Sequence, residues 1–111
     1  MLRPISPDEA AIVERALRVA SIGTVASELF ESIPGLAVTA PCGCGCATVW
    51  FGPGGTSTTG TIIADARAQL DGQEISVIVW LTDGAISGLE FVTYSEGDSG
   101  LPPLESVRSW G

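Results

Sequence analysis

The sequence predicts an α+β fold in which one or two N-terminal helices pack on a mainly antiparallel β-meander of four to five strands. Apolar residues recur at helical spacing up to Ile33, and from Leu36 onward they recur at the spacing of strands. Two Asp-Gly dipeptides, which are typical of two-residue hairpin turns, separate the later strands. The chain has 111 residues and is 45% hydrophobic, which predicts a single folded domain over residues 1–111.

A first helix is predicted over residues 7–20. Ser6 can cap its N-terminus, Pro7 suits the first helical position, and Glu9 stands where a capping box needs it. Gly23 is expected to end the helix. The residues that share its apolar face are Ala10, Val13, Ala16, Leu17 and Ala20.

Helical phase also predicts that Arg15 and Arg18 point to solvent, with Glu14 one turn before Arg18. A second, shorter helix is predicted over residues 25–33, because a new apolar face forms there and Pro34 stops the pattern. The residues of that face are Ala26, Leu29, Phe30 and Ile33.

The rest of the chain is predicted to form strands that hairpins connect. Each Asp-Gly pair is expected to occupy a two-residue loop, in which both residues need a positive φ angle. This places Leu70 opposite Gln73 and Thr82 opposite Ala85, and it fixes the register of two hairpins. The predicted strands span residues 36–40, 47–51, 61–68, 74–81 and 86–94, and a C-terminal tail follows over residues 95–111.

Residue pairs counted outward from these turns divide the three long strands into two faces. One face is the predicted core, because it is almost wholly apolar, and its row of alanines leaves room for the first helix. The predicted core face consists of Ile62, Ala64, Ala66, Ala68, Ile75, Val77, Val79, Leu81, Ile86, Gly88, Glu90 and Val92.

The opposite face is too apolar for an exposed sheet face, which predicts that something covers it. Three covers remain open: the tail from Leu101 to Trp110 or the second helix, a second copy of the chain in a homodimer, or a foreign protein. Asp65 and Arg67 share this face and would either form its polar rim or simply be solvated. The predicted protein-binding patch consists of Ile63, Asp65, Ile78, Trp80, Leu89 and Phe91.

Glu90 stands out because the same register turns its side chain toward the core, opposite Val77. A buried carboxylate needs a hydrogen-bond donor, or its pKa is raised. Arg3 and Arg108 are the cations left to pair with it. The alternative is that the strand over residues 86–94 lies at a sheet edge, where Glu90 reaches water or discourages edge pairing.

Cys42, Cys44 and Cys46 alternate with glycine, and three nearby thiolates can bind zinc or copper. In an extended strand the outer two Cα atoms would lie about 13 Å apart, so the glycines would have to bend the segment to bring the sulfurs together. With no His in the chain, a fourth ligand would be a carboxylate, water or another chain. The alternatives are thiol-redox chemistry, or small apolar side chains that pack under the sheet.

The charge balance disfavours several classes of function. The chain has five basic and thirteen acidic residues and a net charge of -8, so nucleic acids and anionic membranes would be repelled. All basic residues are Arg and His is absent, which removes common acid–base and Schiff-base groups, and no catalytic residue is predicted. The first residues lack a secretory signal and no apolar run is long enough for a membrane span, which predicts a cytoplasmic protein.

Three segments resemble small bacterial protein families of unknown function: the Ser-Pro-Asp-Glu helix start, the run from Cys42 to Cys46, and the run from Gly88 to Tyr94. In size, charge and layout the chain is also similar to acidic immunity proteins that neutralise toxins. The resemblance supplies no catalytic motif and no site residues, and the chain is not expected to be an enzyme. The favoured function is a protein-binding module with a basic partner. The alternative is a metal-binding or thiol-redox protein that uses the three cysteines.

Overall fold

The computed structural model confirms the predicted α+β architecture. It describes residues 3–41, 48–51, 60–70, 72–92 and 100–110. Two short 3-10 helices, Ile33–Gly35 and Leu104–Ser106, accompany the main elements. In chain order the α-helices and strands are β1 (Arg3–Pro4), α1 (Pro7–Ala20), α2 (Ser27–Ser32), β2 (Ala37–Val38), β3 (Ala40–Pro41), β4 (Val49–Trp50), β5 (Thr61–Leu70), β6 (Gln73–Thr82) and β7 (Ala85–Val92).

The main sheet has five antiparallel strands in the order β3-β4-β7-β6-β5. β5, β6 and β7 form the predicted meander, and β4 pairs with the far side of β7. β7 therefore lies in the interior of the sheet, so the alternative that placed Glu90 on an edge strand is wrong. β1 and β2 form a separate two-stranded sheet.

Several element boundaries differ from the predicted ones. The strand predicted over 36–40 is split at Thr39 into β2 and β3, which belong to different sheets. α2 is shorter than predicted, because the chain tightens into a 3-10 turn at Ile33–Gly35, where Pro34 removes a backbone donor. β5 and β6 are longer than predicted and extend to the hairpin turn that joins them.

α1 begins with the predicted capping box. Glu9 N donates to Ser6 Oγ at 3.1 Å, and Ser6 N donates to Glu9 Oε1 at 2.9 Å. Glu9 is only 4% exposed, and the guanidinium of Arg3 donates to both of its carboxylate oxygens, at 2.8 and 2.7 Å. These hydrogen bonds lower the pKa of Glu9, although burial alone would raise it. One carboxylate thus joins β1 to the first turn of α1.

The core lies between α1 and one face of the main sheet. Small residues on β5 let the helix approach closely, because Ala64, Ala66 and Ala68 are at most 1% exposed. Ala10 and Ala20, predicted on the apolar face of α1, are only partly buried at the margin of this core. The fully buried residues of α1 are Ile12, Val13, Ala16 and Leu17.

Both predicted hairpin turns are confirmed: Leu70 pairs with Gln73, and Thr82 pairs with Ala85. At the second turn Asp83 has a φ of 52° and the following glycine a φ of 79°, as a type I′ turn requires. Register shifts then follow in both hairpins. Each shift is a β-bulge with one extra residue, which turns the side chains beyond it to the other face.

The bulge in β7 corrects the predicted position of two aromatic-patch residues. Ser87 is the extra residue, and beyond it Leu89 pairs with Val79 and Phe91 with Val77. Leu89 and Phe91 are 0% and 5% exposed and belong to the core. The prediction that they form part of a surface patch was wrong, because the register was counted without a bulge.

The same bulge corrects the predicted position of Glu90. Its strand partner is Ile78 rather than Val77, so Glu90 lies on the face opposite the core. Gly88 and Val92, also predicted on the core face, turn away with it. No ionised carboxylate has to be accommodated among the apolar side chains under α1.

The bulge in β5 exchanges the roles of two isoleucines. Ile63 is the extra residue and packs against the core, although it was predicted in the surface patch. Ile62, predicted in the core, pairs with Trp80 on the opposite face. Both bulges flank the same part of β6.

The C-terminal tail lies along the free edge of β5. The backbones of Arg108 and Arg67 exchange two hydrogen bonds, at 2.8 and 2.9 Å. Val107 is fully buried, and Arg15 Nε donates to its carbonyl oxygen at 2.6 Å. The prediction that Arg15 points to solvent was wrong, because its guanidinium ties the tail to α1. Arg18 is exposed as predicted and pairs with Glu14 at 3.0 Å.

We expect the ion pair between the exposed Arg3 and the buried Glu9 to make stability depend on pH in the acid range. The folded state lowers the pKa of Glu9 below its ordinary 4.5, so the pair stabilises fully above that pH. This contribution is lost as the pH falls through the lower folded pKa. Glu9→Gln should cost about 1–2 kcal/mol at pH 7 and less at pH 3, as measured by urea unfolding. Equal costs at both pH values would contradict an ionic contribution, and Glu28→Gln on exposed α2 is the control.

We expect Arg15→Met to weaken the attachment of the tail. The substitution keeps an apolar stem and removes the donor to the Val107 carbonyl, which should cost about 1–2 kcal/mol. Arg18→Met is the matched control on the same helix, because it removes an exposed ion pair with Glu14 and a cation–π contact with Phe30, about 0.5 kcal/mol each, and no contact with the tail. Urea unfolding gives both values, and hydrogen exchange of the Arg67 amide should accelerate in Arg15→Met alone. Equal exchange rates of the Arg67 amide in the two variants would refute the role of Arg15.

Candidate functional site

The sheet face turned away from α1, here called the outer face, is the candidate functional surface. α1 and the apolar residues of α2 pack on the opposite side, against the core. Several large side chains of the outer face are half-buried, although they do not belong to the core on which the helices pack. Its described members are Trp50, Ile62, Asp65, Arg67, Glu74, Ser76, Ile78, Trp80, Gly88, Glu90 and Val92.

Trp80 and Glu90 form a polar contact near the centre of the outer face. Trp80 Nε1 donates to Glu90 Oε1 at 2.9 Å, from β6 to β7. The two residues are diagonal neighbours, because Trp80 pairs with Gly88, two positions before Glu90. Both side chains are half-buried, and among the described residues Glu90 takes part in no ion pair. The result is a carboxylate that an indole holds in place but no cation neutralises.

Trp50 lies on the other side of Gly88. Gly88 pairs with Trp80 on β6 and with Trp50 on β4, so it stands between the two tryptophans. A Cβ atom at position 88 would overlap the six-membered ring of Trp50. The missing side chain of Gly88 therefore lets this ring lie directly against the backbone of the sheet.

Trp110 reaches the rim of the outer face from the tail. Its Nε1 donates to Asp65 Oδ1 at 3.1 Å, and its side chain remains 45% exposed. Beside it, Arg67 Nη1 pairs with Glu74 Oε1 at 3.2 Å. The tail thus contacts the outer face along β5. All three tryptophans of the chain lie on this face or at its rim.

Part of the predicted patch lies on the outer face, which also contains residues that were not predicted there. Asp65, Ile78 and Trp80 lie on the outer face as predicted. For Glu90 and Val92 the signal was Gly88, because a glycine inside a strand often marks a bulge, and a bulge exchanges the two faces. The added residues are Trp50, Ile62, Glu90 and Val92, with Trp110 at the rim.

The predicted metal ligands Cys42, Cys44 and Cys46 lie outside the described residues, so zinc or copper binding there stays a prediction. Within the described ranges, no group of three or more Cys, Asp or Glu side chains could hold a metal ion. The described helices are also all too short or too polar to cross a membrane.

A concave groove lies between α1 and the tail. This groove of about 340 Å³ is lined mainly by apolar side chains, and Asp8 is its one ionisable residue. A lone exposed carboxylate has no partner for acid–base or nucleophilic work there. The other residues that line the groove are Ala11, Ile12, Leu101, Pro102, Pro103 and Leu104.

Comparison with known proteins gives no family for this chain. No protein-family model matches it, and no curated protein or solved structure is significantly similar to it. Its function is therefore argued from the chemistry of the outer face.

We expect Gly88→Ala to disturb the outer face, because the added methyl group would overlap the ring of Trp50. Such overpacking typically costs about 1–3 kcal/mol. Gly35→Ala is the matched control, because no atom lies within 4 Å of a Cβ at that position. Thermal unfolding measures the stability, and near-ultraviolet circular dichroism reports the tryptophan environment. A Gly88→Ala variant that matches Gly35→Ala in both measurements would contradict the placement of Trp50.

Proposed function

We propose that this chain is a non-enzymatic protein-binding module that contacts a basic protein through its outer face. One observation carries the proposal: on a face against which no described helix packs, Trp50 and Trp80 flank Gly88, and the Trp80 indole holds the half-buried carboxylate of Glu90, which no described cation neutralises. Tryptophans near the centre of a surface are the residues that most often dominate binding energy. An acidic group held by one of them favours a partner of positive charge.

The charge of the whole chain supports a basic partner. The net charge of -8 gives a negative field that accelerates association with a positively charged protein. On the outer face the carboxylates are Asp65, Glu74 and Glu90, and only Glu74 is paired with an arginine. The field therefore steers the partner toward the whole protein, and the unpaired carboxylates orient it on this face.

The edge of the sheet beside the outer face favours contact through side chains. A partner strand could add to β5 only where its backbone groups are free. The edge of β5 is already occupied near Ala64 by Ser21 and near Arg67 by Arg108. The partner is therefore expected to dock on the outer face rather than to extend the sheet at β5.

In its most specific form, the proposal is an immunity-like role in the bacterial cytoplasm, in which the acidic module neutralises a basic toxin. The small size, the acidic charge and the α+β layout support this form by analogy. A basic protein encoded next to this chain, bound through the outer face, is the partner that it requires.

Binding to a library of acidic, neutral and basic peptides, measured by fluorescence anisotropy, tests the proposal. We expect the wild type to prefer basic peptides, and Trp80→Ala to weaken their binding by about 2 kcal/mol, or about thirty-fold in Kd. Leu104→Ala is the matched control, because Leu104 is an exposed apolar residue beside α1, away from the outer face. Circular dichroism establishes that each variant is folded.

Two outcomes would overturn the proposal. One is binding that does not depend on peptide charge, or that Trp80→Ala leaves unchanged. The other is a wild-type dimer in analytical ultracentrifugation that Trp80→Asp converts to a monomer. That result would assign the outer face to a second copy of the chain.

A further inference from the structure

We propose that Trp50, Trp80 and Glu90 form a receptor for the guanidinium group of an arginine side chain on the partner. The inference rests on the proposed function and names the side chain that the outer face recognises. The three receptor residues lie on β4, β6 and β7 around Gly88, so ordered strands rather than loops position them.

The carboxylate of Glu90 has one oxygen that accepts a hydrogen bond from a described residue and one that does not. Glu90 Oε1 accepts the indole proton of Trp80, whereas no described residue donates to Glu90 Oε2. A carboxylate oxygen has more than one acceptor site, so Oε1 can also receive a second donor. The half-buried group is thus held in one orientation with acceptor capacity left over.

No basic side chain in the described part of the protein forms an ion pair with this carboxylate. All five basic residues lie in the described ranges. Of these five, only the side chain of Arg108 makes no ion pair or hydrogen bond with a described residue. The backbone of Arg108 pairs with β5, so it lies three strand spacings, or about 14 Å, from β7. The other four are committed elsewhere: Arg3 to Glu9, Arg15 to the Val107 carbonyl, Arg18 to Glu14, and Arg67 to Glu74.

Two indoles occupy the neighbouring strands: Trp80 donates to the carboxylate, and Trp50 lies on the other side of Gly88. A guanidinium is planar and weakly hydrated, so it can stack on an indole while its N–H groups donate to a carboxylate. A lysine ammonium is compact and strongly hydrated, and it cannot form the same forked contact. The combination of flat aromatic surface and fixed carboxylate therefore favours arginine over lysine.

The indole N–H signals of the protein provide a direct test, because three tryptophans give three resolvable reporters. We would titrate wild-type protein with N-acetyl-arginine amide, and in parallel with the lysine amide and the uncharged citrulline amide. Trp80→Phe and Trp50→Phe assign the signals. We expect saturable millimolar shifts of the Trp80 and Trp50 signals with the arginine amide, weaker shifts with lysine and none with citrulline.

Glu90→Gln isolates the carboxylate. It keeps an acceptor for the Trp80 indole and removes the charge, so affinity for the arginine amide should fall by about ten-fold or more. Glu28→Gln removes the same charge from exposed α2 and should have no effect. The Trp110 signal, which reports a hydrogen bond at the rim, shows whether Glu90→Gln remains folded.

Three results would overturn the arginine receptor: equal shifts with citrulline, equal affinity for lysine, or larger shifts at Trp110 than at Trp80. The citrulline comparison uses wild-type protein, so it decides the question even if Glu90→Gln does not fold. Basic peptides that bind through Trp80 with unchanged affinity in Glu90→Gln would leave the proposed function standing and remove the receptor. If no basic peptide binds while the arginine amide still titrates at Trp80, the proposed function fails and the receptor remains.

Discussion

The register between β6 and β7 decides what this protein buries and what it presents. One extra residue, Ser87, reverses the faces of the second half of β7. Without that bulge, Leu89 and Phe91 would lie at the surface, and each would forfeit about 1.5–3 kcal/mol of burial. Glu90 would then enter an apolar core without a cation. Ser87 itself is buried at little cost, because its hydroxyl accepts a hydrogen bond from Thr82 at 2.9 Å. Hydrophobic burial therefore selects the bulged register.

The same register builds the outer face. It aligns Gly88 with Trp80 on one side and Trp50 on the other, and it brings Glu90 within reach of the Trp80 indole. The energy that packs the core thus also fixes the geometry of the proposed binding surface. A surface positioned in this way needs little ordering when a partner binds, which reduces the entropic cost of association. Core packing and the geometry of the proposed binding surface are consequences of one constraint in this fold.

The tail makes the sheet face, rather than the β5 edge, the surface available for contact. Val107 inserts into the core, Arg15 holds its carbonyl oxygen, and the backbone of Arg108 pairs with β5. Exposed strand edges invite pairing with other chains, and natural proteins often cover them. Here the covering segment ends at Trp110, which adds an aromatic residue to the rim. The tail therefore protects one surface and extends another.

The sequence by itself determined the fold class, the start of α1 and both hairpin turns, because short-range interactions set these features. Ser6, Pro7 and Glu9 form the cap among themselves, and an Asp-Gly pair favours its turn whatever lies beyond it. Only the tertiary structure decided which side of β7 is buried, that β4 pairs with β7, and where the tail lies. Strand side chains alternate with a period of two, so a single bulged residue exchanges the faces. Gly88 marks this stretch as one where a bulge is common, but whether and where the strand bulges depends on packing between strands. For the same reason, Asp65, Ile78 and Trp80 could be placed on the outer face in advance, whereas Glu90 and Trp50 could not.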